Sequence, residues 1–386
     1  MKQGRVPAQS ANPTPPPRAH DGKTDRYAML RALVLLAVAQ ALQPRAPVST
    51  GAGRVRNALA RRGGALQATP AGGSGSGPTV LVTDGLAPCG LARLVERGAR
   101  VVDLQGLELG DALETVDGVI VRSATTLTAA LIKDAPKLRC IGRAGVGLDN
   151  IDLEAAEARS IPVVTSAGAS TRAVSELCMA HLLQCARCIV EADAAVKGGA
   201  FTAFKGTAAA EAHELGGKTL GILGFGRIAK EIAWLAVAFG MDVAAYSPSL
   251  DADAAYESGV LFAESPEALF ARSSHIVMSC PLNAGTKDLV GRALIDLMPA
   301  DPCGRHIVNV ARGGIAVEGD VAVALDDGAL QSYATDVFAE EPCTASPLFG
   351  CEGFSATPHV GAATREAQDA VALLVADRLM DALGPD

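Results

Sequence analysis

The chain has 386 residues, 49% of them hydrophobic, with 34 Lys and Arg against 42 Asp and Glu for a net charge of −8. That much apolar material excludes a disordered chain and suffices for two cores of ordinary size. The charge is uneven: residues 1–83 hold eleven Lys or Arg against Asp21 and Asp25, a net of +9, which leaves −17 on residues 84–386. So acidic a body repels phosphate backbones, and nucleic acid is not an expected partner.

From Arg26 through Thr83 there is no acidic residue, and seven arginines are scattered without packable periodicity. Ala32 to Ala39 is a short apolar run behind Arg31, well below the ~20 residues of a membrane-spanning helix, and reads as a signal-peptide-like core. The stretch after it, with Arg54, Arg56, Arg61 and Arg62, has the basic, acid-free character of an organellar transit peptide. Together they resemble the bipartite presequence of algae with secondary plastids. The expected address is the plastid, with the mitochondrion as alternative, Met29 as a candidate start, and no membrane association after processing. A disordered basic tail is the plainer reading. Pro70 to Pro78, rich in Gly and Ser, reads as a flexible junction, so residues 1–78 are assigned to presequence and linker.

Nine cysteines spread from Cys89 to Cys351 are an odd count in a chain large enough to need no staples, so reduced thiols are expected. Cys185 and Cys188 form a C-x-x-C inside a helical pattern running from Glu176 to Lys197, a setting that favours core packing over redox or metal function.

From Thr79 onward, short β-branched runs alternate with helical ones, the signature of parallel sheets with crossover helices. Strands are predicted at Val80–Val82, Val101–Val102, Val119–Val121, Leu138–Ile141 and Val163–Val164, followed by one long helix from about Ser170 to Lys197. A second set is predicted at Thr219–Leu223, Val243–Tyr246, His275–Met278, His306–Asn309 and Ser332–Thr335. The fold class is α/β, with two doubly wound parallel-sheet domains. The closing helix places Val371, Val375, Leu379 and Leu383 on one stripe.

Gly224-Phe225-Gly226-Arg227-Ile228-Ala229 stands directly after an apolar strand and before an amphipathic helix, the context of a dinucleotide fingerprint. Gly224 permits the tight turn, Gly226 lets a pyrophosphate approach the backbone, and Ala229 allows close helix-strand crossing. The amides and helix dipole at Arg227 and Ile228 offer positive potential to the phosphates.

Downstream, Arg312, Glu341 and His359 each follow a strand-like run: Val308-Asn309-Val310-Ala311-Arg312-Gly313-Gly314, Asp336-Val337-Phe338-Ala339-Glu340-Glu341-Pro342 and Thr357-Pro358-His359-Val360-Gly361. Taken singly, each has a dull reading as a strand-end cap, a solvated acid or a core histidine. The order of motifs resembles the D-2-hydroxyacid dehydrogenase family, over about residues 79–386.

The resemblance implies a Rossmann dinucleotide-binding domain over 170–358 and a flavodoxin-like substrate domain over 79–169 and 359–386, with the final helix packing back on the latter. It implies that His359 takes the hydroxyl proton, that Glu341 holds the imidazole and favours its charged form, and that Arg312 grips the substrate carboxylate and 2-oxygen as a planar fork. Asp336 matches the carboxylate that accepts from the nicotinamide carboxamide, and Cys280 and Pro281, preceded by Ser279, match a loop lining the cofactor.

Ser247, 23 residues after Gly224, stands where relatives preferring NAD place an Asp; it neither repels nor attracts a 2′-phosphate, and no Lys or Arg lies between 247 and 256. NAD is the expected cofactor, with NADP as alternative.

Val121-Arg122-Ser123-Ala124-Thr125 and Ile141 to Asp152 are similar to segments of 3-phosphoglycerate dehydrogenases. By that resemblance Gly145, Val146 and Gly147 present amides to the substrate carboxylate, while Arg122 and Ser123 approach a phosphate. The loop Ala167 to Arg172, with Thr165 and Ala173, departs from the usual residues. The expected activity is oxidation of 3-phosphoglycerate to 3-phosphohydroxypyruvate at the start of serine biosynthesis. The alternatives are a glyoxylate or hydroxypyruvate reductase and a dinucleotide-sensing corepressor-like binding protein. A homodimer is expected, and no regulatory C-terminal domain.

Overall fold

Runs of aliphatic residues with no polar face become parallel strands covered on both sides, because crossover helices shield each face of the sheet. In the computed structural model, which describes residues 77–205, 212–301 and 303–384 of one compact unit, two such sheets form. The leader, with its apolar run at 32–39 and the junction through residue 76, lies outside the described residues.

The first sheet comprises β1 (Thr79–Val82), β2 (Arg100–Val102), β3 (Gly118–Val121), β4 (Cys140–Arg143) and β5 (Val163–Thr165) in the order β2-β1-β3-β4-β5. The second comprises β6 (Thr219–Leu223), β7 (Asp242–Tyr246), β8 (Leu261–Phe262), β9 (His275–Met278), β10 (His306–Asn309), β11 (Ser332–Thr335) and β12 (Phe354–Ala356) in the order β12-β11-β10-β9-β6-β7-β8. Both orders are doubly wound, the first flavodoxin-like and the second that of a dinucleotide-binding sheet with one added strand. Strand order reverses between β6 and β9, and a crevice opens there at the carboxyl ends of the strands.

Alternation along the strands divides the core. Ile276 and Met278 point into one apolar layer, and Val277 between them into the other, beside Leu182 of helix Thr171–Arg187 and Ala229 and Ile232 of helix Arg227–Ala238. The closing helix Arg365–Leu383 buries Val371, Val375, Leu379 and Leu383 against the first sheet, meeting Gly118 of β3 and Gly142 of β4, as the stripe and the resemblance imply.

Most strands fall where the sequence puts them. The fourth begins at Cys140 rather than Leu138, and β8 and β12 are additions that no apolar run announced. The larger correction is the long helix. It ends at Arg187 and restarts at Ile189, with Cys188 left-handed at φ 48 and ψ 48 and a bend of 62° between the two pieces.

The C-x-x-C therefore spans a turn and not a continuous helix: Cys185 is buried, Cys188 half-buried, and all nine cysteines are free thiols. Helix Ile189–Lys197 buries none of its residues and exposes Ile189, Val190 and Val196. Among the described residues no single helix is long and apolar enough to cross a membrane.

Candidate active site

The glycine turn closes the end of β6 at the point where strand order reverses. Gly224 has φ +92, and a Cβ there would lie 2.7 Å from the backbone of Cys280, which leads out of β9. No side chain but hydrogen fits. At Gly226, by contrast, a Cβ would meet nothing within 4 Å, so the glycine leaves open space above the start of helix Arg227–Ala238. No side chain caps that helix start, and its first amides remain the natural partners of a pyrophosphate. The residues present therefore fit a dinucleotide.

A cleft of about 600 Å³ runs from this turn to the first sheet, lined by Gly226, Arg227, Ile228, Cys280, Pro281 and Arg312 on one side and by Val146 and Gly147 on the other. Ser170 and Thr171, from the loop that departs from the family pattern, line it as well.

Arg312 is the bridge between the sheets. Its Nε donates to Asp149 Oδ2 at 3.0 Å and its Nη1 to the carbonyl of Ala311 at 2.7 Å. Its Nη2 lies so close to Gly147 that a Cβ there would come within 1.9 Å. Asn309 fixes the loop from below, donating from Nδ2 to the Arg312 carbonyl at 2.9 Å and accepting from the Ala311 amide at 3.0 Å.

His359 and Glu341 form a pair. His359 Nδ1 stands 2.7 Å from Glu341 Oε2, and Glu341 Oε1 accepts from the Phe338 amide at 3.0 Å. Burial pushes the Glu341 carboxyl up, but the hydrogen bonds from His359 and Phe338 and the charges of His359 and Arg312 outweigh it and hold the group below its usual range. Since an ionised carboxylate only accepts, Nδ1 carries the proton in the neutral ring and the lone pair falls on Nε2. The loops bearing Arg312 and Glu341 touch: a Cβ at Gly313 would fall 1.8 Å from the Phe338 carbonyl oxygen.

Within the chain, the Asp336 carboxylate accepts three hydrogen bonds. Its Oδ1 accepts from Thr357 Oγ1 at 2.7 Å and the Val360 amide at 2.8 Å, and its Oδ2 from the Gly361 amide at 2.8 Å. The carboxylate is 3% exposed and shapes the turn that presents His359, whose own amide donates to the Asp336 carbonyl at 2.8 Å and whose φ is +53. His181 Nε2 supports the same turn from 3.1 Å through Thr357 Oγ1. Ser247, half-buried beyond β7, shares a hydrogen bond with Ser249 at 3.3 Å and does not line the cleft.

On the first sheet, Arg122 is half-buried and Ser123 exposed in the loop after β3, outside the cleft lining. Asp84 and Asn150, which the sequence reading passed over, build that loop. Asp84 Oδ2 accepts from the amides of Arg122 at 2.6 Å and Thr125 at 3.1 Å, and Asn150 Nδ2 donates to the Arg122 carbonyl at 2.7 Å.

Arg143 was also missed as a site residue. Burial and the nearby charges of Arg312 and Arg122 lower its affinity for its proton, against the opposing pull of Asp149 and Asp84. Its Nε is buried without a hydrogen-bond partner, and Gly145, where a Cβ would meet Arg143 Nη1 at 1.4 Å, makes room for it. Arg143 and Asp149 both sit inside the Ile141–Asp152 motif. Spacing alone does not say which polar residue of a turn faces a ligand.

Residues 179–361 match the model of the NAD binding domain of the D-isomer specific 2-hydroxyacid dehydrogenases. The D-3-phosphoglycerate dehydrogenase of Methanocaldococcus jannaschii is 39% identical over 309 residues, which cover 79% of this chain and 57% of that protein. The chain thus spans little more than half the length of that relative.

Among solved structures, the TT0316 protein of Thermus thermophilus is 32% identical with a TM-score of 0.70, covering 79% of this chain and 96% of that one. The 3-phosphoglycerate dehydrogenase of Entamoeba histolytica with bound NAD+ is 26% identical with a TM-score of 0.64, covering 79% and 94%.

Proposed function

This chain belongs to the D-isomer specific 2-hydroxyacid dehydrogenase family, and from that premise we propose that it oxidises 3-phosphoglycerate to 3-phosphohydroxypyruvate with NAD, and runs the reverse reduction. The observation that carries the substrate assignment is the gathering of three guanidinium groups. Arg312 and Arg122 both act electrostatically on Arg143, and Arg143 keeps a buried Nε without a protein partner. Arg312 lines the cleft; a substrate with both a carboxylate and a phosphate needs more than one such cation, and an anion there relieves the repulsion on Arg143.

A dinucleotide held at Gly224, Gly226 and the start of helix Arg227–Ala238 would supply the hydride acceptor for C2 of the substrate. The protein does the rest. Arg312 orients the carboxylate and the 2-oxygen, with Asp149 holding its Nε and the Ala311 carbonyl its Nη1, so that Nη2, beside Gly147, is left for the substrate. His359 Nε2 takes the hydroxyl proton as the C–H bond breaks, and Glu341 holds the ring in the tautomer that permits it. In reduction the same nitrogen returns the proton. NAD is favoured over NADP because the segment after Ser247 carries Asp251 and Asp253 and no cation before Tyr256.

Initial rates with 3-phosphohydroxypyruvate, hydroxypyruvate and glyoxylate test the assignment. The phosphorylated acid should lead in kcat/KM by about 100-fold, in line with the roughly 1.5–3 kcal/mol of a hydrogen bond to a charged group. Arg122→Ala should erase most of that lead. Equal rates on the three acids would make this a glyoxylate or hydroxypyruvate reductase.

The same reading includes a place at the start of serine biosynthesis, delivery to the plastid by the basic leader, and a homodimer. Supporting the dimer, Ile189, Val190, Val196 and Phe201 are all more than half exposed along one segment of the nucleotide-binding lobe. Val190→Glu should convert the dimer to monomer in sedimentation.

A further inference from the structure

Far from the cleft, the opposite edge of the seven-stranded sheet gathers three imidazoles and a thiol. His275 and His306 are the first residues of β9 and β10 and pair in register, and Ser332 opens β11 beside His306. His213 reaches the same place from the segment ahead of β6, held by its amide on the Ala186 carbonyl at 3.0 Å. Ring centroids are 4.7 Å apart for His213 and His306, 4.7 Å for His275 and His306, and 5.1 Å for His213 and His275. The ligating atoms of His213, Cys303 and His306 all lie within 4.8 Å of one another.

We propose that His213, Cys303 and His306 bind a divalent transition metal, Zn2+ foremost. Two imidazole nitrogens and a thiolate suit this borderline-soft ion, three protein ligands leave one position open, and bond lengths of about 2.0 Å to nitrogen and 2.3 Å to sulfur place tetrahedral ligands roughly 3.4–3.6 Å apart. From a present spacing of at most 4.8 Å, the groups close by no more than about 1.4 Å to reach it.

The surrounding hydrogen bonds set the tautomers. His213 Nε2 is 3.0 Å from His275 Nε2, so coordination falls to Nδ1 while Nε2–H donates to His275, whose Nδ1 stands 3.1 Å from Ser274 Oγ. His306 Nδ1 is 2.7 Å from Ser332 Oγ, and its Nε2 is 2.7 Å from the Cys303 carbonyl. A carbonyl only accepts, so in the metal-free ring Nε2–H donates to Cys303 and Nδ1 accepts from Ser332. Because a hydroxyl also accepts, the ring can switch tautomer, with Nδ1–H donating to Ser332 Oγ while Nε2 exchanges the carbonyl for the metal; such outer partners orient metal-binding histidines.

Charge fits as well. Asp301 Oδ1 accepts from the Cys303 amide at 2.9 Å, and with the Cys303 thiolate it neutralises a dication against the field of Lys218, which acts on the same group of residues. Cys303 and His306 also line a cavity of about 970 Å³, which gives an ion a route in.

The test is a titration of the chelator-treated full chain with Zn2+ against a chromophoric chelator, with Co2+ as spectroscopic stand-in. One ion per chain is expected. Cys303→Ser and His213→Gln, both at partly exposed positions, should keep the far-UV dichroism and weaken Zn2+ binding by more than the 10–100-fold typical of an outer-shell loss. Cys303→Ser alone should abolish the thiolate-to-cobalt charge-transfer band. His359→Ala should change none of this, which separates the site from the dehydrogenase chemistry. Binding that survives both ligand variants, or no stoichiometric binding by the intact chain, overturns the proposal.

Discussion

The two edges of the seven-stranded sheet use the same residue type in opposite ways. At the carboxyl edge, His359 sits in a loop, 42% exposed and hydrogen-bonded to a carboxylate. At the amino edge, His275 and His306 are built into the strands themselves, 0% and 3% exposed, and burial keeps both neutral far below the usual range of histidine. An imidazole that must gain and lose a proton needs solvent and a counter-charge; one that must stay neutral needs neither. Strand ends set the contrast, because loops leaving a parallel sheet at its carboxyl ends diverge and leave a crevice, whereas the first residues of adjacent strands are locked in register.

The sharpest way to break that contrast is His359→Ala. Turnover should fall about 1,000-fold or more, as expected for loss of a general base, with cofactor affinity unchanged by fluorescence titration. A smaller loss would put the base elsewhere on the carboxyl edge.

Next in size is Gly224→Ala, which forces a side chain into φ +92 and against the Cys280 backbone at 2.7 Å. Denaturant unfolding should show a loss of roughly 2–4 kcal/mol. This tests whether the carboxyl edge is held by backbone contact.

The amino edge should show itself in the pH dependence of stability. The unfolded chain takes up a proton at each histidine near the ordinary value of ~6.5, but folded His306 does so only near 4. Its contribution is therefore fully present above about 6.5 and declines as pH falls toward 4, amounting to about 2 kcal/mol by pH 5. In metal-free protein, His306→Gln should flatten this part of the stability profile; an unchanged slope would place the acid sensitivity elsewhere.

Smallest in stability and most diagnostic is Gly226→Ala. A Cβ there meets no protein atom within 4 Å, so the unfolding free energy should move by less than about 0.5 kcal/mol. Dinucleotide affinity should drop roughly 10-fold or more, because the second glycine of the turn admits the pyrophosphate. Equal effects of the Gly224 and Gly226 variants on folding would contradict the division of labour between the two glycines.

Local signals were legible where one stretch of chain carried the whole message. Thr219–Leu223 followed by Gly224 and Gly226 is a strand and its turn in any surroundings, and the closing helix announces its buried stripe by spacing alone. The break at Cys188 was not legible, because Glu176 to Lys197 keeps helical composition throughout and only the exposure of Ile189, Val190 and Val196 betrays that the second piece leaves the core. Of the site, Arg312, Glu341 and His359 were marked by their motifs. Asp336 was marked too, yet its hydrogen bonds to Thr357, Val360 and Gly361 arise only when the end of β11 and the turn after β12 come together.

The amino acids in order were enough to specify two parallel sheets and the glycine turn, since each depends on periodicity or steric demand within a few residues, and to mark Arg312, Glu341 and His359 by motif. Folding in three dimensions decided which distant groups meet. Asp149 reaches Arg312 from 163 positions away and His213 reaches His275 across 62. Strand order and register, set by the burial of both faces of each sheet, select those neighbours, and no local pattern encodes them.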